Sequence, residues 1–370
     1  MSDGSNCLMW ETAPPDLRSP LLVAAYHGWF DVGGAATGAL EWLSERSESQ
    51  QIAHIDGEEF FNFAEQRPSV SLRDGRREIS WPRNDIHVLR PLDGEHDLVL
   101  VVGAEPQLRW QTYAEAIVEL AARSQTTALV TVGAHLADVP HTRPFEVTGS
   151  TSDSAQAEAW GLSSPSYEGP TGVVGVLHER FEKLGIPAVS LRVAVPHYVS
   201  SSPNPKGSRA LLERFERVTG LATGWAELDE AAADWEERVN NAMNFDDDVV
   251  AYVRRLEARA DARAKRSVPS GEDLGAEFER LLRQQGNPDW GGPGGGEAGR
   301  GAGGHTPPPE PPLPPPTKTA RVRLLAVGSR DVWAQPAFAA LQHETRPESG
   351  RYRNSPSCDK RRCRIEGRRG

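Results

Sequence analysis

"AAYHGWFDVGGAATGALEWL", residues 24–43, decides the fold. An apolar run breaks into a glycine-rich loop and resumes as an amphipathic segment, which reads as a buried strand, a tight turn and a helix. Two phosphate-binding motifs are tested against it. A P-loop needs a lysine for the terminal phosphates and a hydroxyl for magnesium. Counting from Gly28 puts Gly33 in place, but Gly34 stands where the lysine belongs and Ala35 where the hydroxyl belongs. The dinucleotide pattern G-x-G-x-x-G fails too, because the glycines fall at 28, 33, 34 and 38, although Asp56 follows the next strand at about the ribose-binding distance. Asp31 within the turn would repel an anion at the helix N-terminus. The loop therefore reads as a packing turn: Gly33 and Gly34 permit it, Gly38 lets the helix approach the sheet, and Asp31 caps the helix.

Outward from this stretch, β-branched runs alternate with amphipathic segments, the pattern of an α/β domain with a largely buried sheet. Strands are expected at 21–26, 51–55, 85–90, 97–102, 127–133, 145–150 and 188–195, and helices at about 34–46, 109–124, 153–160, 171–185 and 207–219. "SVSLRDGRREISW" reads as a hairpin turning on Asp74-Gly75, a polar insertion facing a partner or forming an edge. From Trp225, apolar residues step by three and four through Trp235 and Val239; a second periodic helix follows "NFDDD", and a third covers "EDLGAEFERLLRQQG". The expected organisation is an extension over 1–19, a core over 20–222, a helical subdomain over 223–286, a Gly/Pro-rich linker over 287–320 and an Arg-rich disordered tail over 321–370.

The 370 residues carry a formal net charge of −11. From Thr317 onward thirteen Lys plus Arg stand against five Asp plus Glu, which leaves −19 on residues 1–316. An acidic body disfavours a nucleic-acid backbone, so no specific nucleic acid is expected. The three cysteines, Cys7, Cys358 and Cys363, lie near the ends, as in a reduced cytoplasmic protein. No secretory signal and no membrane-length apolar run occur, so no membrane partner is expected.

Complete catalytic constellations are missing: neither G-x-S-x-G nor H-E-x-x-H occurs. His135 and His141 are spaced for loop hydrogen bonding rather than for a metal site, and no metal or cofactor is expected. The strand "DLVLVV" ends on "GAEPQLRW", where Glu105 and Arg109 either pair with each other or together grip a carboxylate or sugar hydroxyl beside Trp110. His197 and Tyr198 follow the last strand, and Lys206 and Arg209 open the next helix.

Taken together, "GWFDVGGAAT", "DLVLVVGAEPQLRW", "TVGAHLADVPHTRP", "YEGPTGVVGVLHERFEKLGIPAVSLRVAVPHY" and "EDLGAEFERLLRQ" resemble the actinobacterial branch of the proteasome assembly chaperone family, over about residues 8–285. The resemblance implies a three-layer α/β/α sandwich similar to purine nucleoside phosphorylases, a C-terminal helical subdomain, homo-oligomeric assembly with a trimer among the candidate forms, and a non-enzymatic role. It also implies proteasome subunits or another protein as partners. Archaeal members dock through a tail ending in a hydrophobic residue, Tyr and any residue; this chain ends "IEGRRG", so that docking mode is not expected.

Two functions follow. The first is a protein-binding, assembly-chaperone-like oligomer, with Trp225 and Trp235 offered to partners or to ordinary packing. The alternative is an enzyme or sensor whose phosphorylase-like cleft gathers Asp31, Gly33, Glu105, Arg109, Trp110, His135 and His197 around a small polar, nucleoside-like ligand.

Overall fold

The computed structural model describes residues 7–91, 94–243 and 246–267. The strands are β1 (Leu8–Trp10), β2 (Leu21–His27), β3 (Glu48–Ile55), β4 (Ser69–Arg73), β5 (Arg76–Ser80), β6 (Asn84–Arg90), β7 (Leu98–Ala104), β8 (Ala128–Ala137), β9 (Val147–Thr151) and β10 (Ala188–Pro196). The helices are α1 (Ala35–Arg46), α2 (Trp110–Arg123), α3 (Ser154–Trp160), α4 (Val173–Lys183), α5 (Pro205–Thr219), α6 (Asp229–Met243) and α7 (Asp247–Ser267). The third C-terminal helix, the linker and the tail expected from sequence lie outside the described residues.

Eight strands form one sheet in the order β1-β3-β6-β7-β2-β8-β10-β9. Its centre, β7-β2-β8-β10, is parallel, while β6 and β9 run antiparallel on its flanks. Parallel strands are buried on both faces, which is why "LLVAAY" is apolar without alternation. Val23, Ala25, Val130, Val132, Leu191 and Val193 face one helical layer, where Ala36 and Leu40 of α1 and Leu211 and Phe215 of α5 meet them. Leu22, Ala24, Val99, Val101 and Leu129 face the other, built from Ile117 and Leu120 of α2 and Leu177 and Phe181 of α4. The result is the three-layer α/β/α sandwich.

Trp235, Val239, Tyr252 and Leu256 of α6 and α7 join the first of these cores. Trp235 is buried edge-on against Phe145, so it is packing and not a surface offered to a partner. Trp225 is half-buried beneath the Arg209 guanidinium. Gly38 differs from its expected role: a side chain there would come within 3.1 Å of Ser208 Oγ on α5, so the small residue serves helix-to-helix contact. Across the same contact, a Cβ at Gly207 would stand 2.7 Å from Ala35 Cβ, and Ser208 Oγ donates to Ala35 O at 2.9 Å.

The hairpin turns where it was expected. Asp74 (φ 52°) and Gly75 (φ 76°) both adopt the left-handed conformation, as a type I′ turn requires. Leu8–Trp10, within the stretch read as an N-terminal extension, is a strand that pairs with β3.

A methyl group at Gly133 on β8 would run into the Phe30 ring of the loop that follows β2. Gly133→Ala is expected to cost about 1–3 kcal/mol of stability through that overlap, read as a lower denaturation midpoint with unchanged denaturant slope.

Candidate functional site

The carboxyl ends of β7, β2, β8 and β10 share one edge of the sheet, and the connections leaving β2 and β8 diverge there. Open α/β sheets place ligands at such a point. Here residues 28–34 close over it. The Asp31 carboxylate is buried: Oδ1 accepts from Ala36 N–H at 2.8 Å and Thr37 N–H at 3.3 Å, and Oδ2 accepts from the Thr37 hydroxyl at 2.6 Å. His27 Nδ1 lies 3.3 Å from Oδ2, and this hydrogen bond to Asp31 raises the histidine pKa above its ordinary value. Gly33 (φ 67°) and Gly34 (φ 62°) let the loop turn against Ser201, Ser202 and Asn204. Phe30 O accepts from Ala134 N–H at 2.7 Å, which stitches the loop to β8. The loop is filled by protein, as a packing turn is.

Glu105 and Arg109 do not pair. The Glu105 carboxylate accepts from the Val173 N–H at the start of α4, at 3.3 Å, and packs against Gly28 and Gly172. Arg109, in the left-handed conformation before α2, reaches Glu59 at 2.5 Å. Short side-chain reach and a helix N-terminus nearby draw the carboxylate away from the guanidinium. Trp110 donates to Pro106 O at 2.5 Å and packs on the α2 core.

His135 sits within β8, on the face turned toward α4, and its buried Nδ1 has no hydrogen-bond partner. His197 lies under α7, with Nδ1 3.3 Å from Asp138 Oδ1 and Nε2 3.4 Å from the Tyr252 hydroxyl. It belongs to a polar seam. His141 contacts the Tyr198 hydroxyl through Nδ1 at 3.0 Å and Asn240 Oδ1 through Nε2 at 2.9 Å, and burial holds its pKa below the usual range. Lys206 Nζ donates to His141 O and to Glu236, each at 2.5 Å. Together these contacts bolt α5, α6 and α7 to the end of the sheet. The seven residues expected around one cleft thus take separate internal partners on both sides of the sheet, His135 Nδ1 excepted.

From the same edge rises the β4–β5 ribbon, because β3 ends and β6 begins there beside β7. Asn84 Nδ2 donates to Ala104 O at 2.9 Å and anchors its base, and Trp81 stacks at a tilt on Phe63 with ring centroids 4.9 Å apart. Val70 pairs with Ile79 and Leu72 with Arg77, so Val70, Leu72, Ile79 and Arg77 share one side of the ribbon, which Trp81 continues just past the strand. They are 64%, 74%, 58% and 52% exposed. None of these four was singled out as a site residue, although the alternation V-x-L and I-x-W carries the signal.

Asp31→Ala removes a buried cap and is expected to lower stability by about 1–2 kcal/mol, measured by denaturant titration. His178 of α4 contacts the Thr131 hydroxyl at 2.8 Å, and burial pushes its pKa from 6.5 down to about 4. The unfolded chain therefore binds this proton first, and stability falls as pH drops from 6.5 toward 4. His178→Gln is expected to flatten the fall across that window relative to the native chain.

The PAC2 family model matches residues 25–243. Among solved structures, the chain is similar to a PAC2 family protein from Streptomyces avermitilis, with 42% identity, a TM-score of 0.59, and coverage of 63% of this chain and 99% of that one. It is also similar to a proteasome-assembly chaperone homologue from Mycobacterium tuberculosis, at 38% identity and a TM-score of 0.58 over 63% of this chain and 99% of that one. An archaeal proteasome activator from Pyrococcus furiosus, 17% identical with a TM-score of 0.51 over 63% and 97% of the two chains, shares the fold. A search of curated protein sequences returned no match. Among the described residues no helix is long and apolar enough to cross a membrane. With the matched segment running from the end of β2 through the remaining strands, both helical layers and α6, this chain belongs to the PAC2 family.

Proposed function

We propose that the chain is a non-catalytic, assembly-chaperone-like protein of the cytoplasm that self-associates, with a trimer among the candidate forms, and holds proteasome subunits. The observation that carries this reading is the bare apolar side of the β4–β5 ribbon. A two-stranded hairpin is marginal in water by itself. This one has every strand residue exposed and shows four large apolar groups on one side. Such a patch on an otherwise charged surface marks a protein contact.

Charge points to a second copy as one occupant. From Arg67 to Arg83 five arginines stand against two carboxylates, whereas the whole chain is −11. A basic, apolar ribbon fits an acidic neighbour of its own kind, with Arg77 beside Leu72 to meet a carboxylate and the aliphatic groups supplying buried area. Similarity to the mycobacterial assembly-chaperone homologue supports proteasome subunits as the further partner.

The test is the double variant Leu72→Asp, Ile79→Asp in the full chain. Both positions are exposed, so the helical circular dichroism spectrum is expected to stay unchanged. Native mass spectrometry is expected to show the oligomer reduced to monomer, and immobilised variant is expected to retain purified proteasome α-subunits at least about tenfold less than the native chain. An unchanged mass together with unchanged retention would overturn the proposal.

A further inference from the structure

On the side of the sheet covered by α2 and α4, the apolar layer gives way to polar groups toward the edge strand β9. Arg192 on β10 is in register with Gly133 on β8 and Thr148 on β9, and Ser190 with Thr131 and Ser150. Directly paired residues share a face, so these side chains and His135, two residues beyond Gly133, stand together. His178 of α4 borders the group through Thr131.

Arg192 is the anomaly. It interrupts the apolar strand "AVSLRVAV" and is half-buried, yet among the described residues no carboxylate lies within ion-pair distance of it. Its Nη2 donates to Ser150 Oγ at 3.2 Å, while its Nε is buried with no acceptor. The Nδ1 of His135 is buried and unpartnered as well. Burial lowers the Arg192 pKa; its charge adds to burial in holding His135 and His178 below the usual imidazole range. A cation withdrawn from water without a counter-charge is costly, and an aliphatic residue would complete this strand at less expense. The one hydrogen bond to Ser150 leaves the charge without a counter-ion among the described residues.

The chemistry of the cluster supplies what is missing. A guanidinium whose Nε has no acceptor, the Ser150 hydroxyl and the His135 imidazole approach from three adjacent strands, a donor set for an oxyanion met from several directions. Thr148, directly opposite Arg192, is exposed, so the group borders solvent at the β9 edge. We propose that Arg192, His135 and Ser150 form a binding site for a phosphate group, either inorganic or carried on a small molecule. This site is separate from the ribbon and does not depend on the reading proposed for it.

Calorimetric titration of the full chain at constant ionic strength tests the assignment, with orthophosphate and ribose 5-phosphate as the two probes and chloride as control. Saturable binding of one phosphate group per chain is expected, with no chloride response. Arg192→Gln is expected to weaken it at least about tenfold, and His135→Gln and Ser150→Ala to weaken it less. Tighter binding of ribose 5-phosphate would identify a phosphate ester as the ligand, and tighter binding of orthophosphate the free ion; either supports the site. No saturable binding to the native chain would overturn it, as would affinity unchanged in the folded Arg192→Gln and His135→Gln variants. A mass change on native spectrometry of Arg192→Gln, without any phosphate binding by the native chain, would instead assign the arginine to a neighbouring subunit's carboxylate and equally overturn the proposal.

Discussion

The hydrogen bonds of one buried carboxylate organise the C-terminal edge of this sheet. Asp31 receives Ala36 N–H, Thr37 N–H and the Thr37 hydroxyl, so the chain leaving β2 turns at once into α1. That turn brings Phe30 down onto Gly133 and sets the small residues of α1 against α5. In turn α5 carries Lys206, whose contacts with His141 and Glu236 reach the β8 loop and α6. A helix N-terminus leaves donors without intrahelical acceptors; here the side chain that satisfies them also closes the point where a related architecture would admit a ligand.

Closure of that edge separates two kinds of surface. The strand-end loops are largely committed to one another: Asp31, Glu105, His141 and Lys206 each take an internal partner, so most of their cost of burial is met within the fold. The ribbon beside them is held only at its base, through Asn84 and the Trp81–Phe63 contact, and Val70, Leu72 and Ile79 are exposed. The Arg192 cluster is a second surplus, of charge instead of area, at the opposite margin of the sheet from β1 and β3.

Much of the architecture was legible in the residues. Strand positions follow because β2, β7, β8 and β10 are apolar on both faces, and helix positions because α2, α4 and α5 keep apolar residues at helical spacing. Asp31, Gly33 and Gly34 were readable as a cap and a turn, since the motif groups of a phosphate loop are absent and the loop's own chemistry suffices. The Asp74-Gly75 turn was equally local: its two left-handed residues are the ones that tolerate that conformation.

Sequence by itself thus determined the alternation of strands and helices, the identity of the turn after β2, the hairpin and the acidic charge of the body, because each depends on residues near one another in the chain. Tertiary structure alone decided partners. Glu105 capping α4, Arg109 turning to Glu59, Gly38 meeting Ser208, Trp235 going into the core and Arg192 standing without a counter-charge are all products of contacts across distant segments. Which neighbour a side chain meets is set by sheet order and register, and spacing along the chain encodes neither when consecutive strands such as β2 and β3, or β7 and β8, are not neighbours in the sheet.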